Sequence, residues 1–237
     1  MASFAKLPLL LATALFYNYS FIPPTLPPSA EEQKRTNTLP ILRWYERVIV
    51  PILPVWTRMT YWAFFMTEAM VLFRATWETN FPANVVVDFT GNHDSAGRVT
   101  VPFVFGAGLI ATGAMIRFRC FREMGRHFTF ALSLRDGHKL ISTGPYAIVR
   151  HPSYTGGNMT IVGAALTLMH DGSWWFGGGY RTGWGLFLAA NFIVSSLLVV
   201  RAFLRGNVED AYLRASFKEE WQAFADRVPY RYIPGVY

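Results

Sequence analysis

The chain has 237 residues, a formal net charge of +7, 52% hydrophobic residues and only 16% charged ones. That apolar excess and charge deficit exclude an ordinary soluble domain and point to one helical domain in a bilayer. A single cysteine, Cys120, excludes an internal disulfide and a zinc cluster built on cysteines.

Five apolar segments follow in chain order. The first, within KLPLLLATALFYNYSFIPP, begins with Lys6 and resembles a secretory leader. It has no small-x-small cleavage site and is longer than a leader's apolar core, so residues 7–22 are expected to form a first span. The proline-rich PPTLPPSAEEQKRTNTLP, residues 23–40, is an irregular connector. The second segment, residues 55–73, carries Glu68 within an apolar run. An acid at that depth needs a partner or a wet cavity, and a hydroxyl or amide on a neighbouring helix is expected to supply it. The third, residues 99–116, contains GAGLIATG from Gly106 to Gly113. This imitates a dinucleotide loop without the strand–turn–helix setting, so its small residues are expected to let helices approach closely.

Between the third and fourth segments stand Arg117, Arg119, Arg122, Arg126, Arg135, Lys139 and Arg150, against Glu123 and Asp136. By the positive-inside rule this is a cytosolic loop. The fourth and fifth segments, residues 155–169 and 183–204, then place the C-terminal tail in the cytosol. Residues 74–98 and 170–182 fall on the luminal side, and the GGGY at Gly177 reads as a turn there. Both N-x-S/T triplets, at Asn18 and Asn158, lie in apolar segments, so neither is expected to carry a glycan. A bilayer core asks for about 20 helical residues, which leaves the first and fourth segments short.

The densest set of specific side chains is STGPYAIVRHPSY, inside the basic loop. Pro145 and Pro152 fix their own φ and push Gly144 and His151 away from helix. Tyr146, Arg150, His151 and Tyr154 stand between and just after these hinges, and Gly156-Gly157 permits close backbone approach. The composition is compatible with a shaped polar pocket at the membrane surface, and equally with a tight interhelical turn bearing interfacial aromatics and arginine anchors.

This segment resembles the isoprenylcysteine carboxyl methyltransferase family. Its signature is carried in order by His138, Leu140, Gly144, Tyr146, Arg150, His151, Pro152, Tyr154 and Gly156. A second block, RGNVEDAYLRASFKEEWQAFADRVPYRYIP, is similar to the family's ending. The likeness covers roughly residues 100–237, and phospholipid N-methyltransferases share its first block. The resemblance implies an all-α integral membrane protein of about five transmembrane helices, with a cytosolic cofactor-binding loop and a helical C-terminal tail. Residues 1–98 would form N-terminal spans and linker, and 99–237 the catalytic core of a single domain.

The implied cofactor is S-adenosyl-L-methionine, held by His138, Lys139, Leu140, Ile141, Tyr146, His151, Pro152, Ser153, Tyr154 and Glu209. Arg205 would meet the substrate, with Arg205 and Glu209 as the catalytic pair. Aromatic faces attract a sulfonium by about 0.5–2 kcal/mol. The last span is expected to continue as helix into the tail, so that Arg205 and Glu209 share one face at i and i+4. The implied partners are a prenylated protein C-terminus (a prenylcysteine) and the lipid bilayer, in the endoplasmic reticulum with the active site facing the cytosol; no nucleic acid or metal is expected. A prenylcysteine carboxyl, with a pKa of about 3.3–3.7, is already an anion and needs positioning rather than a base. An aminophospholipid would first have to lose a proton. Phospholipid N-methylation and a non-catalytic membrane scaffold stand as the alternatives. A di-iron reductase or desaturase is disfavoured because His127, His138 and His151 do not form the required histidine boxes.

Departures from the family pattern fall before His138, where Phe130 and Ala131 replace a polar side chain, and in the tail. There Asp210 stands for a second Glu, and Trp221 with Phe224 for Tyr.

Overall fold

The structure is a computed structural model that describes residues 6–29, 31–32, 44–76, 97–131, 133, 135 and 137–236. Residue 30 and residues 33–40 of the proline-rich connector, and most of the expected luminal loop 74–98, lie outside the described residues. All regular structure among the described residues is helical. The main helices are α1 (Lys6–Ser20), α2 (Val50–Thr76), α3 (Val101–Met124), α4 (Pro152–Leu168), α5 (Gly183–Phe203) and α6 (Gly206–Arg227). The first five coincide with the five apolar segments.

Among the described residues, three stretches are long and apolar enough to cross a membrane: Tyr45–Phe73, Val101–His127 and Gly183–Arg227, the last owing its hydropathy to α5. Helices α1 and α4, at 15 and 17 residues, are shorter than a bilayer core asks. Large apolar side chains stay exposed along the helices, among them Leu15, Met59, Met70, Phe105, Phe187 and Leu197. Such surfaces suit lipid rather than water.

Prolines punctuate the helices where their missing donor is tolerated. Pro152 opens α4 in the first turn, where no intrahelical bond is lost. Pro54 sits inside α2, close behind a π-helical turn at Tyr45–Ile49. Such turns widen the helix and recur at functional sites.

The chain divides into two compact units. One comprises the described parts of 1–19, 56–112 and 159–197. Its core is aromatic: Tyr17 and Tyr61 stack with centroids 4.2 Å apart, and Phe64 meets Trp174 edge-on at 5.9 Å. The Tyr61 hydroxyl donates to Thr13 at 3.1 Å and lies 3.1 Å from Thr167 Oγ1. Here α3 and α4 touch through glycine, as the small residues of GAGLIATG suggest. A Cβ on Gly106 would fall 2.7 Å from the Gly163 carbonyl oxygen, and one on Gly163 would fall 2.5 Å from that of Gly106.

The charged partner of Glu68 is an ammonium rather than a hydroxyl or amide on a neighbouring helix, and the Trp174 backbone N–H donates to the carboxylate as well. The Lys6 ammonium donates to it and to the Gly172 carbonyl at 2.7 Å, and lies 5.3 Å from the Phe103 ring centroid. Both charged groups are buried. A buried acid answered by a buried ammonium avoids the penalty that either would meet alone.

The second unit comprises the described parts of 20–55, 113–158 and 198–237. Its centre is Arg117, which the charge count assigns to a surface loop. Helix α3 runs on to Met124, so Arg117 is helical, and only 1% of its surface is exposed. Nε donates to the Ser20 carbonyl at 2.6 Å, and Nη1 to the carbonyl and hydroxyl of Ser153 at 2.9 and 3.1 Å. The rings of Phe21, Phe121, Phe130 and Phe203 surround the guanidinium at 5.1–5.6 Å. Carbonyl dipoles and ring faces thereby solvate the cation where water does not reach it.

Helix α5 does not continue unbroken into the tail. It ends at Phe203, and Arg205 is the residue before α6. Within α6, Lys218 has a φ of 47°, a left-handed conformation unusual for a residue with a Cβ. Residues 206–217 carry Glu209 and Asp210. Beyond the break, Trp221, Phe224 and Val228 form a small core against Leu140, Leu213 and Phe217. The departures at Trp221 and Phe224 are therefore apolar anchors that hold Leu140 in place.

Candidate functional site

The site is built on a turn that the sequence shapes tightly. Gly144 has a φ of 58°, and a Cβ there would meet the Glu123 carboxylate at 3.0 Å. Thr143 donates its hydroxyl to the same carboxylate. Residues Gly144–Ala147 then form a 3₁₀ turn that buries Tyr146, whose hydroxyl donates to Met124 Sδ at 2.9 Å. Burial pushes that phenol well above the usual tyrosine range, so it stays a neutral donor.

The segment after Pro145 is stitched to the tail. Arg150 N donates to the Tyr230 carbonyl at 2.9 Å and His151 N to the Arg231 carbonyl at 2.8 Å. Arg150 Nη1 donates to the carbonyls of Val228 and Pro229 at 2.9 and 2.8 Å, and Thr155 Oγ1 to that of Tyr232 at 2.7 Å. Asp210 completes the clamp: it accepts from Arg150 Nε at 3.3 Å and Arg231 Nε at 3.0 Å, and its Oδ1 lies 3.0 Å from His151 Nε2. Its shorter side chain thus serves as a structural knot.

Beside this clamp runs a second chain of contacts. The imidazole of His151 stacks on Tyr154, with centroids 5.4 Å apart and planes 7° from parallel. Its Nδ1 is 3.6 Å from Glu209 Oε2. The Tyr154 hydroxyl donates to the same Glu209 oxygen at 2.5 Å and accepts from Arg205 Nε at 3.4 Å. Arg205 and Glu209 are not a direct pair across one helical turn; the tyrosine hydroxyl bridges them. The other two Arg205 nitrogens donate to Glu46 and to the backbone carbonyl of Phe130. Where the polar side chain before His138 is missing, a main-chain oxygen takes its place.

These groups line a cavity of about 1210 Å³, open mouth included, within the second unit. Its walls include His138, Leu140, Ile141, Tyr146, His151, Ser153, Tyr154, Arg205 and Glu209. Lys139 is exposed and Pro152 buried, and neither lines it. The remaining walls are mostly apolar, with Phe128, Phe130 and Phe203 among them. His138 Nδ1 is buried without a hydrogen-bond partner. Burial, aided by the neighbouring His127, lowers its pKa to about 4, so the imidazole is neutral at physiological pH and can donate or accept.

An S-adenosylmethionine molecule has a sulfonium, an ammonium, a carboxylate and ribose hydroxyls to satisfy. The cavity offers the ring of Tyr146, the Glu209 carboxylate and the unpartnered His138 nitrogen. The residues fit that group. No set of three metal-ligating side chains gathers among the described residues.

Two contributors had no motif to mark them. Glu46 comes from the front of the chain, just before the second apolar segment, and Arg117 was counted with the surface charges. An acid adjoining a span and an arginine at a span's end were their only signals.

Residues 101–176 match the phospholipid methyltransferase family. Over 128 residues the chain is 30% identical to protein-S-isoprenylcysteine O-methyltransferase B of Arabidopsis thaliana, covering 53% of this chain and 56% of that relative. Two probable protein-S-isoprenylcysteine O-methyltransferases of Oryza sativa, from the indica and japonica subspecies, are 28% identical over 127 residues, covering 52% of this chain and 56% of theirs. The chain therefore spans about half the length of the curated relatives it matches. No solved structure matches it. The resemblance carried by His138–Gly156 falls within the matched residues 101–176.

Proposed function

We propose that this chain is an integral membrane methyltransferase acting on the C-terminal carboxylate of a prenylated cysteine, with S-adenosyl-L-methionine as methyl donor. The observation that carries the reading is the Tyr154 hydroxyl, which joins Arg205 to Glu209 at the wall of a largely apolar cavity. Five spans, α1 to α5, would place the 117–150 region and the tail on the cytosolic side of the endoplasmic reticulum membrane. Residues 1–98 would supply N-terminal spans and linker to the core at 99–237.

In this reading His138, Leu140, Ile141, Tyr146, His151, Ser153, Tyr154 and Glu209 hold the cofactor, while Lys139 and Pro152, outside the cavity wall, contribute through the backbone that places their neighbours. Bound there, S-adenosylmethionine supplies an electrophilic methyl group. Glu209 would accept hydrogen bonds from the donor's ammonium and the Tyr146 ring would stand beside its cationic end, while Tyr154, stacked between His151 and Phe203, holds Glu209 in place. His151, tied to Asp210 and close to Glu209, aims the carboxylate more than it binds. Arg205 receives the acceptor carboxylate, an anion that needs no base. The apolar walls exclude water, which strengthens each charged contact and strips the acceptor oxygen. The isoprenoid chain gains about 0.8 kcal/mol per buried CH₂ in lipid, which brings the acceptor to the membrane.

A second reading, N-methylation of an aminophospholipid, is favoured by the family matched over residues 101–176. A side-by-side assay separates them: purified chain with labelled S-adenosylmethionine, offered N-acetyl-S-farnesylcysteine or phosphatidylethanolamine vesicles. Methyl transfer to the farnesylcysteine, abolished by Arg205→Ala with cofactor affinity retained, is the expected result. Transfer to the phospholipid alone refutes the carboxylate reading, and cofactor binding with transfer to neither leaves a scaffold.

A further inference from the structure

Each nitrogen of the Arg205 guanidinium already has an acceptor. Nε meets the Tyr154 hydroxyl, Nη2 the Phe130 carbonyl and Nη1 the Glu46 carboxylate. These three acceptors differ in how readily they can let go. The Phe130 oxygen is main chain. The Tyr154 oxygen is tied to Glu209 at 2.5 Å, and its ring is stacked between His151 and Phe203. Glu46 alone sits on a flexible side chain, 14% exposed, and it is not among the residues lining the cavity. Its π-helical turn is fixed by Tyr45, whose hydroxyl donates to the Leu198 carbonyl at 2.7 Å and whose ring lies 5.6 Å from the Arg201 guanidinium. The backbone is thus held, and side-chain torsion of Glu46 alone would part its carboxylate from Arg205.

We propose that Glu46 is the resident counter-ion of Arg205, and that an anionic acceptor binds by taking its place. This rests on the reading that Arg205 receives the acceptor carboxylate. A guanidinium only 12% exposed is strongly destabilising if left unpaired, so the empty site needs an anion of its own. An acceptor arriving with Glu46 still in contact would put two carboxylates on one cation, with Glu209 a third behind Tyr154. Their mutual repulsion is relieved when Glu46 turns outward, where water rehydrates it. The exchange also selects. A carboxylate compensates the charge that Glu46 withdraws, whereas a neutral or cationic headgroup leaves Arg205 bare.

The test uses the full chain in nanodiscs with saturating S-adenosylmethionine and N-acetyl-S-farnesylcysteine as acceptor. In Glu46→Gln the acceptor KM should fall by about three- to tenfold, as expected when a competing charge is removed, with the cofactor KM unchanged. Glu46→Asp, still anionic, should stay within about twofold of the parent. The acceptor's carboxamide, used as an inhibitor, should bind parent and Glu46→Gln equally, because it carries no charge to exchange. An acceptor KM unchanged or raised in Glu46→Gln, together with a raised KM in Arg205→Lys, would make Glu46 a buttress and overturn the proposal. Failure of both Glu46→Gln and Glu46→Ala to fold would overturn it equally, by making the pair structural. If Arg205→Lys leaves the acceptor KM untouched, the carboxylate reading beneath the proposal fails instead.

Discussion

Removing one oxygen, in Tyr154→Phe, tests the bridge at the heart of the proposed site. The ring and its stacking on His151 remain, and only the hydroxyl between Arg205 and Glu209 is lost. The bond to Glu209, at 2.5 Å, lies in the short range of charge-assisted O–H···O⁻ contacts, where a hydrogen bond to a charged group contributes about 1.5–3 kcal/mol. The contact from Arg205, at 3.4 Å, lies beyond the usual N–H···O range and adds little. Glu209 keeps its approach to His151 at 3.6 Å, which tempers the loss. The expected net effect is about 2 kcal/mol, or about 30-fold in kcat/KM. Titration calorimetry with S-adenosylmethionine and acceptor kinetics would divide it between the two ligands. Because the hydroxyl acts through Glu209, Tyr154→Phe and Glu209→Gln together should fall well short of their sum. Effects that add to within about 0.5 kcal/mol would show the two side chains to be independent and refute the bridge.

Other expectations concern stability and pH. Lys6→Met or Glu68→Gln alone should cost about 3–5 kcal/mol by leaving a buried charge or its partner unanswered, and Lys6→Met with Glu68→Met should recover most of it in detergent unfolding. Gly163→Ala should destabilise by about 1–3 kcal/mol, since its methyl would press on the Gly106 carbonyl. His138 has a folded pKa of about 4 against 6.5 for the free side chain. The unfolded chain therefore takes up a proton that the folded chain refuses, and stability falls as pH drops from 6.5 toward 4. His170, also lowered to about 4 by burial, adds to the same slope, so His138→Gln should flatten it partly. A chevron or melting series across that window reads the change.

Hydropathy located all five apolar helices, because lipid-facing and core-facing positions are both apolar and leave long uninterrupted runs. The glycines of GAGLIATG announced a close helix contact for the same local reason. What was hidden is long-range pairing. Arg117 looks like any other charge in a basic loop, and only the continuation of α3 past residue 116 reveals that it is walled in by four phenylalanines. Glu68 declared its need for a partner but not its identity, since Lys6 lies 62 positions away. The i, i+4 spacing of Arg205 and Glu209 suggested one shared face, yet the break after Phe203 leaves them joined through a residue of another helix. Glu46 belongs to no recognisable pattern, because one acid preceding an apolar run has no periodicity to betray it.

The stitching of residues 150–155 to 228–232 also bears on when the site can exist during synthesis. Arg150 and the Val228 carbonyl are 78 positions apart, so the imidazole-bearing turn waits on a stretch translated long after it. A nascent polypeptide halted before Val228 could already have threaded its greasy helices through a translocon while owning no assembled pocket. Premature termination there would leave residues 150–155 without their clamp, a defect that an abundance assay alone would miss.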